Sequence, residues 1–384
     1  MIIKIILTLS LLLTSVYAQK GMSKFTYEAI QKSMEFSEKD KFKEAKKILD
    51  EQILATSEEK TYDLAFLYNS LAYLSIETSD YEKAIELYQK AISYNVLPED
   101  MKSNTVFSIA QLSIQIEKYK QSILYLKKYH SKNSISGLSS KIMMMNYIAL
   151  KKPKSALEWA NKSIKLSKKP ELSLYQNKLA LEQQLNLNKN AVKTLQNIIK
   201  FFDADVTYFK QLSYLYQKIG DEKKAAAILE SAYQMDLLQD YSDKMLLAQL
   251  LHYQGATIKA IDILKRNKQN DLKEQERLEF LYKLQLSSQE KDAALKTLKE
   301  LYKLNKSNDV ALLISKLYAD LAQWNNCEEY SKKVTSDDGK ILLAISLAEQ
   351  KKFSKSSKVF ETLLDNKKYS LQAKAWIESI SYQK

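Results

Sequence analysis

The sequence predicts an all-α protein, a right-handed α-solenoid of about ten helix-turn-helix repeats closed by a C-terminal capping helix. Three observations carry this expectation. The 384 residues include only five Gly and three Pro, far below average usages of roughly 7% and 5%, and a β-rich fold of this length needs many more turn residues. Amphipathic stretches such as YEKAIELYQKAI at 81–92 fit helices with one buried stripe. Within such stretches one small residue returns at near-constant spacing, the mark of an internal repeat.

Aligned on Y-x-x-A-x-x-x-Y/L-x-x-A, that residue is Ala45, Ala84, Ser122, Ala156, Ala191, Ala225, Ala260, Ala294, Cys327 and Ser356. Successive spacings are 39, 38, 34, 35, 34, 35, 34, 33 and 29. Most cluster at the 34-residue period of the tetratricopeptide repeat. Each repeat is an antiparallel helix pair whose axes approach to roughly 8–10 Å, according to the side chains between them, so a small residue on the second helix lets the first come close. Twelve positions earlier the first helix supplies its own small residue in several repeats: Ser33, Ala72, Ala110, Ser213, Ala248, Ser315 and Ala344.

The turns follow from the same frame. Asp80 is expected to cap the second helix of its repeat, and Gly220-Asp221 and Gly255 mark turns where a left-handed residue ends the first helix. Pro98, Pro153 and Pro170 are expected between helices. SKNSISGLSSK at 131–141 reads as a loop within one repeat. The tail YSLQAKAWIESISYQK is amphipathic, with Leu371, Ala375, Ile377 and Ile380 expected to cover the last apolar face, which has no further repeat to bury against.

The N-terminus, MIIKIILTLSLLLTSVYAQK, has one early Lys, an apolar run and small or apolar residues before Gln19, the layout of a secretory signal cut after Ala18. Its apolar stretch of about fourteen residues is short of the roughly 20 needed to span a bilayer. The organisation expected is 1–18 signal peptide, 19–369 repeat solenoid and 370–384 capping helix. The lone Cys327 excludes an internal disulfide, and an exported chain without a disulfide framework points to the bacterial periplasm.

The net charge of +13 comes almost wholly from Lys, since Arg occurs only at 266 and 277. Lys spread along the chain without an Arg-rich face argues against a nucleic-acid reader, while attraction to an acidic partner, or peripheral contact with the anionic inner membrane surface, is allowed. Catalysis finds no inventory. Two His, at 130 and 252, and one Cys cannot build the common zinc sites, and neither a phosphate-binding loop nor a nucleophile elbow is present. No catalytic residue, metal or cofactor is expected.

What remains is the concave face of the solenoid, lined by the first helix of each repeat. The positions expected to point into it include Phe66, Asn69, Tyr73, Phe107, Gln111, Lys141, Met145, Lys210, Tyr214 and Gln249, with Met245 beside them. Aromatics interleaved with amides suit an extended or helical peptide. The amides and lysines interrupt a continuous apolar groove, which favours a specific partner over a chaperone's range of clients. Three readings are therefore open: a scaffold in an envelope complex, an envelope-assembly or cell-wall adaptor, and a carrier that holds a client.

The segment FFDADVTYFKQLSYLYQKIGDEKKAAAILESAYQMDLLQDYSDKMLLAQLLHYQGATIKAIDIL, 201–264, together with the terminal AKAWIESI helix, resembles the secreted tetratricopeptide proteins found beside TonB–ExbB–ExbD energy-transduction machinery. The likeness extends over FTYEAIQKSMEFSEKDKFKEAKKIL at 25–49 and YEKAIELYQKAISYNVL at 81–97. The resemblance implies a non-catalytic periplasmic scaffold supporting TonB-dependent uptake, with TonB-, ExbB- or ExbD-like proteins as partners. Members of that group often carry a Cys-containing segment after the signal. Here Lys20-Gly21-Met22 leads directly into the first helix.

Overall fold

A computed structural model of the protein describes residues 21–268 and 272–382. The signal peptide expected at 1–18 lies outside them. Among the described residues there are 21 helices and no strand. The chain divides into two compact units between Asp203 and Ala204.

The first unit holds five helix hairpins: α1 (Lys24–Ser37) with α2 (Phe42–Ala55), α3 (Thr61–Glu77) with α4 (Tyr81–Ser93), α5 (Glu99–Gln115) with α6 (Tyr119–His130), α7 (Gly137–Ala149) with α8 (Pro153–Leu166), and α9 (Leu172–Gln184) with α10 (Asn188–Phe201). The second holds five more: α11 (Val206–Lys218) with α12 (Glu222–Gln234), α13 (Tyr241–Tyr253) with α14 (Thr257–Arg266), α15 (Leu272–Ser287) with α16 (Lys291–Asn305), α17 (Asn308–Asp320) with α18 (Trp324–Ser331), and α19 (Asp337–Glu349) with α20 (Phe353–Glu361). A single helix, α21 (Ser370–Ser381), follows them. The segment 131–141 is only partly a loop. Ser136 and Ser139 form a reciprocal capping box that starts α7 at Gly137. Pro153 is the first residue of α8, where its missing N–H costs nothing.

Every hairpin closes with one turn. Its central residue has positive φ: Asp40, Ser79, Glu117, Lys151, Asn186, Gly220, Gly255, Gln289, Ala322 and Lys351. Each lies five residues before the small residue of the repeat. The amide after it donates to the carbonyl five residues back, as in Asp80 N to Ser75 O at 2.8 Å, Asp221 N to Tyr216 O at 2.9 Å and Lys352 N to Leu347 O at 2.8 Å. The positive-φ residue's own amide donates three back, as in Ser79 N to Ile76 O at 2.9 Å. This is the Schellman arrangement, which satisfies carbonyls that a helix end would otherwise leave open. The residue after the turn then starts the second helix, and its carbonyl accepts from the small residue's amide, as in Ala84 N to Asp80 O at 3.0 Å. Asp80 and Asp221 add a side-chain cap, each Oδ1 accepting from an amide at 3.1 Å.

The small residues are all buried, and in half of the hairpins the close approach carries a hydrogen bond as well. Ser33 donates to Ala45 O at 3.0 Å, Ser122 to Ala110 O at 2.8 Å, Ser213 to Ala225 O at 2.9 Å, Ser315 to Cys327 O at 3.2 Å and Ser356 to Ala344 O at 2.7 Å. One member of each pair is Ser and the other Ala or Cys, so the hydroxyl reaches across to a backbone carbonyl that only a small facing side chain leaves accessible. Asn146 extends this to the next hairpin, donating to the Ser122 hydroxyl at 2.8 Å.

Within each unit the hairpins stack so that a second helix packs on the first helix of the next pair. First helices form one layer and second helices the other. In the first unit, Thr105 Oγ1 donates to Asn69 Oδ1 at 3.0 Å between the first helices α5 and α3. Gln89 Nε2 donates to the Tyr125 hydroxyl at 3.0 Å between the second helices α4 and α6. Leu67, Ile109 and Leu112 sit fully buried between the layers. The second unit buries Leu278, Leu298 and Ile314 in the same way. Its Arg277, the one buried cation among the described residues, donates to Leu264 O at 2.8 Å at the end of α14 and to Glu274 Oε2 at 2.7 Å.

The final helix covers α20 with part of the expected face. Ile377 and Ile380 pack inward as expected, whereas Leu371 and Ala375 are exposed; Ala373 is buried beside Ile380 in the cluster that holds Phe360, and Trp376 stacks on the Phe360 ring at 5.8 Å. The helix starts at Ser370, and the stripe 373, 376, 377 and 380 is the one its first turn directs inward. No described helix is long and apolar enough to cross a membrane.

The turns generate a stability prediction. A Cβ added at Gly255 meets nothing within 4 Å, so Gly255→Ala should cost only the left-handed backbone term, about 1 kcal/mol. Gln289→Gly, at φ 60°, should gain about 0.5–1 kcal/mol by removing the same term. Urea denaturation of both variants measures this. A neutral or stabilised Gly255→Ala protein would contradict the turn assignment.

Candidate partner-binding faces

Counted back from each positive-φ turn residue, most of the expected groove residues fall at two places on the first helices, ten and six positions before the turn. Asn69 and Tyr73, Phe107 and Gln111, Lys141 and Met145, and Lys210 and Tyr214 occupy both places in four hairpins, while Gln249 occupies the second place in a fifth. Phe66 falls outside this frame, one turn earlier on α3. Seven of the ten lie in the first unit and three in the second.

In the first unit much of the expected surface is consumed by packing. Phe66 is only 3% exposed and belongs to the hydrophobic core, and Gln111 is buried, so neither presents a surface to a partner. The reason is local: α3 and α5 are buried on nearly every side, with Asp63–Leu67 and Thr105–Ser113 almost continuously buried. Phe107 is half-buried with its ring 4.9 Å from that of Tyr129. Asn69 accepts from Thr105. Lys141 Nζ holds Glu171 Oε2 at 2.5 Å on the next first helix's side. Met145 is half-buried and Met144 fully so. Burial, and then the Glu77 carboxylate, push the Tyr73 phenol up to about 12, so its hydroxyl stays protonated.

The second unit is different. Tyr214 is 61% exposed on α11, and Gln249 is exposed on α13. Lys210, one turn before Tyr214, holds the buried Asp243 of α13 at 2.9 Å. That bond ties the two first helices together and removes Lys210 as a free cation. Met245 is buried. Two residues absent from the sequence expectation join this face: Leu246 and Tyr253, the latter 77% exposed. With Gln249 they fall at i, i+3 and i+7, one side of α13. The signal was present in YSDKMLLAQLLHY, which has more large apolar residues than one buried stripe can absorb. The α11–α13 face therefore offers two exposed phenols, a leucine and an amide beside a fixed ion pair, groups suited to burying against a peptide or protein surface.

Both histidines have structural partners. His130 Nε2 lies 2.9 Å from the Ser139 hydroxyl and its ring stacks on Trp159 at 5.7 Å. Burial, with Lys162 nearby, lowers its pKa. His252 Nδ1 lies 3.0 Å from the Thr257 hydroxyl. Cys327 is buried. Among the described residues, no three or more His, Cys, Asp or Glu are grouped to hold a metal ion.

No family model and no curated protein matches the chain. Solved structures do. YrrB, a tetratricopeptide-repeat protein with an unusual peptide-binding site, is 16% identical over 50% of this chain and 92% of its own, with a TM-score of 0.37. A tetratricopeptide-repeat protein from Parabacteroides merdae ATCC 43184 is 15% identical over 69% of this chain and 100% of its own, at 0.39. The Naa15/Naa10 complex bound to HypK-THB gives 12% identity over 93% of this chain and 61% of that one, at 0.44.

One buried acid yields a pH prediction. Glu182 on α9 is buried, with Lys178 Nζ 3.7 Å from its Oε1. Burial raises its pKa, opposed only in part by the Thr194 hydroxyl and Lys178. Glu182 and Thr194 stand in their hairpin as Gln285 and Thr297 do in theirs, where Thr297 donates to Gln285 Oε1 at 2.7 Å. With the folded pKa above the unfolded one, the unfolded chain releases its proton first. The fold then loses stability as pH rises from the ordinary carboxylate range through the raised value. Glu182→Gln should therefore melt higher than the parent at neutral pH and match it in acid. Melting curves across that range test this, and an equal difference at every pH would refute it.

Proposed function

We propose that the protein is a non-catalytic scaffold that binds a protein partner through its first-helix layer, with the α11–α13 face as the principal site. The observation that carries this reading is the exposure of Tyr214, Gln249 and Tyr253 on that face, with Leu246 partly exposed among them. Tyr anchors of this kind dominate binding energy in protein interfaces. The repeat architecture supports the same reading, since stacked hairpins present extended surfaces rather than enclosed cavities.

In this proposal the chain is exported, cut after Ala18, and works in the periplasm as an accessory component of a TonB-dependent energy-transduction or uptake complex. The signal-like segment at 1–18 and the resemblance over 201–264 support that setting. The test is crosslinking in intact cells through a photo-reactive residue placed at Gln249, which is exposed on the same face. A TonB-, ExbB- or ExbD-like adduct is expected, and Tyr214→Ala with Tyr253→Ala should lower its recovery by roughly 30-fold without lowering the melting temperature. Adducts with cell-wall enzymes or with many unrelated clients would overturn the TonB assignment. Absence of any adduct from folded periplasmic protein would overturn the choice of face.

A further inference from the structure

Placed on the fold, the net positive charge is not spread along the chain. Residues 118–200 contain 17 Lys against three Glu, a net of +14 in a chain whose total is +13. The remainder is close to neutral. Lys itself is spread along the chain, as expected; the scarcity of acids in this segment is what localises the net charge. The excess falls on α6 to α10, all within the first unit.

Nor is it neutralised there. Four of the 17 have acidic partners: Lys118 with Glu82, Lys132 with Glu99, Lys141 with Glu171 and Lys178 with Glu182. The other 13 are exposed and form no ion pair among the described residues. Nine of these stand on the second helices: Lys120, Lys127 and Lys128 on α6, Lys154, Lys162 and Lys165 on α8, and Lys189, Lys193 and Lys200 on α10. They keep the repeat's register. Lys120, Lys154 and Lys189 each lie three residues after the positive-φ turn of their hairpin. Outside this block the same position holds Lys43, Glu82, Lys223, Ile258, Asp292, Asn325 and Ser354. Since second helices of neighbouring hairpins lie side by side, as the Gln89–Tyr125 bond marks, equivalent positions form rows across one layer. Of the three acids in the segment, Glu171 is paired, Glu182 is buried, and only Glu158 faces outward among these lysines.

Large apolar side chains are exposed on the same three helices. Leu124 on α6 is 64% exposed, and Leu166 and Phe201, also exposed, follow directly on Lys165 and Lys200 at the ends of α8 and α10. Lysine carries a point charge without the planar fork that suits phosphodiesters and base edges, and neither Arg of the chain lies in this unit. A duplex offers Leu124, Leu166 and Phe201 nothing to bury in. A folded acidic protein calls for charges placed to match its own pattern rather than evenly repeated rows. An anionic bilayer is laterally uniform, attracts each lysine through its surface potential, and accepts apolar side chains between headgroups.

We propose that the second-helix layer of α6, α8 and α10 docks peripherally on an anionic phospholipid surface, leaving the first-helix layer free for protein partners. The proposal is independent of the partner-binding reading, because the residues and the face differ. The test is co-sedimentation of the purified protein with phosphatidylcholine vesicles, with and without phosphatidylglycerol, at physiological salt. The triple variant Lys120→Glu, Lys154→Glu, Lys189→Glu is compared with Lys296→Glu, Lys355→Glu, Lys358→Glu, an equal change of charge at exposed, unpaired lysines of the second unit. The test lysines sit in helix first turns, where acids are tolerated, and melting curves verify folding. The expected result is binding to anionic vesicles only, weakened about a hundred-fold or more by the first triple and little changed by the second. Equal binding to neutral vesicles would overturn the proposal, as would equal loss in both variants. So would tighter binding to duplex DNA or polyglutamate at the same salt, which would reassign the face to nucleic acid or an acidic protein.

Discussion

The close approach of two helices at one small residue is the constraint on which the rest depends. Ten times along the chain a buried Ala, Ser or Cys sits five residues after a left-handed turn, and its amide makes the first hydrogen bond of the second helix. The turn fixes the direction of the second helix and the small residue fixes its distance. Serine then converts proximity into a bond, as Ser213 does with Ala225 O. Once both are fixed, every other position of the hairpin has a determined side: core, first-helix layer or second-helix layer. Local economy explains why so few glycines suffice. Only Gly220 and Gly255 occupy the left-handed position as Gly. Elsewhere Asp, Ser, Asn, Lys, Glu, Gln and Ala are held there by the hydrogen bonds on either side and by the packing of the pair.

Much of this was legible in the sequence, because a steric requirement for smallness leaves a visible trace at a fixed period. The repeat count, the small residues, the cap at Asp80 and the turn at Gly220-Asp221 could all be read there. Of the eight turns without Gly only the one at Thr78-Ser79-Asp80 could be placed, since a left-handed Lys151 or Gln289 carries no mark of its own. The final helix was legible as amphipathic but its phase only in part: Trp376 stacked on Phe360 decides it, and Leu371 points away. The candidate site was legible in part. Repeat position placed Tyr214 and Gln249 on a surface but could not foresee that α3 and α5 are buried around most of their circumference, which removes Phe66 and Gln111. Nor could it foresee that Lys141 and Lys210 are engaged by Glu171, just before α9, and by Asp243 of α13.

The two layers divide the chemistry. First helices carry the apolar excess, much of it buried, with exposed tyrosines where α11 and α13 leave surface over. Second helices carry charge, and in α6, α8 and α10 that charge is nearly all of one sign. Hairpins whose first and second helices expose separate residue positions can evolve a preference on one helix without disturbing the other, because a substitution at an outward position of a second helix does not touch the small-residue contact.

The most direct test of the account is amide hydrogen exchange at the ten turns. The amides of Lys41, Asp80, Lys118, Lys152, Leu187, Asp221, Ala256, Glu290, Gln323 and Lys352 each donate to a carbonyl of the preceding helix. All ten are expected to exchange slowly, together with the hairpins they close, although they lie in short connections. Exchange at the rate of an unstructured peptide in several of these turns, with the helices on either side still protected, would contradict it.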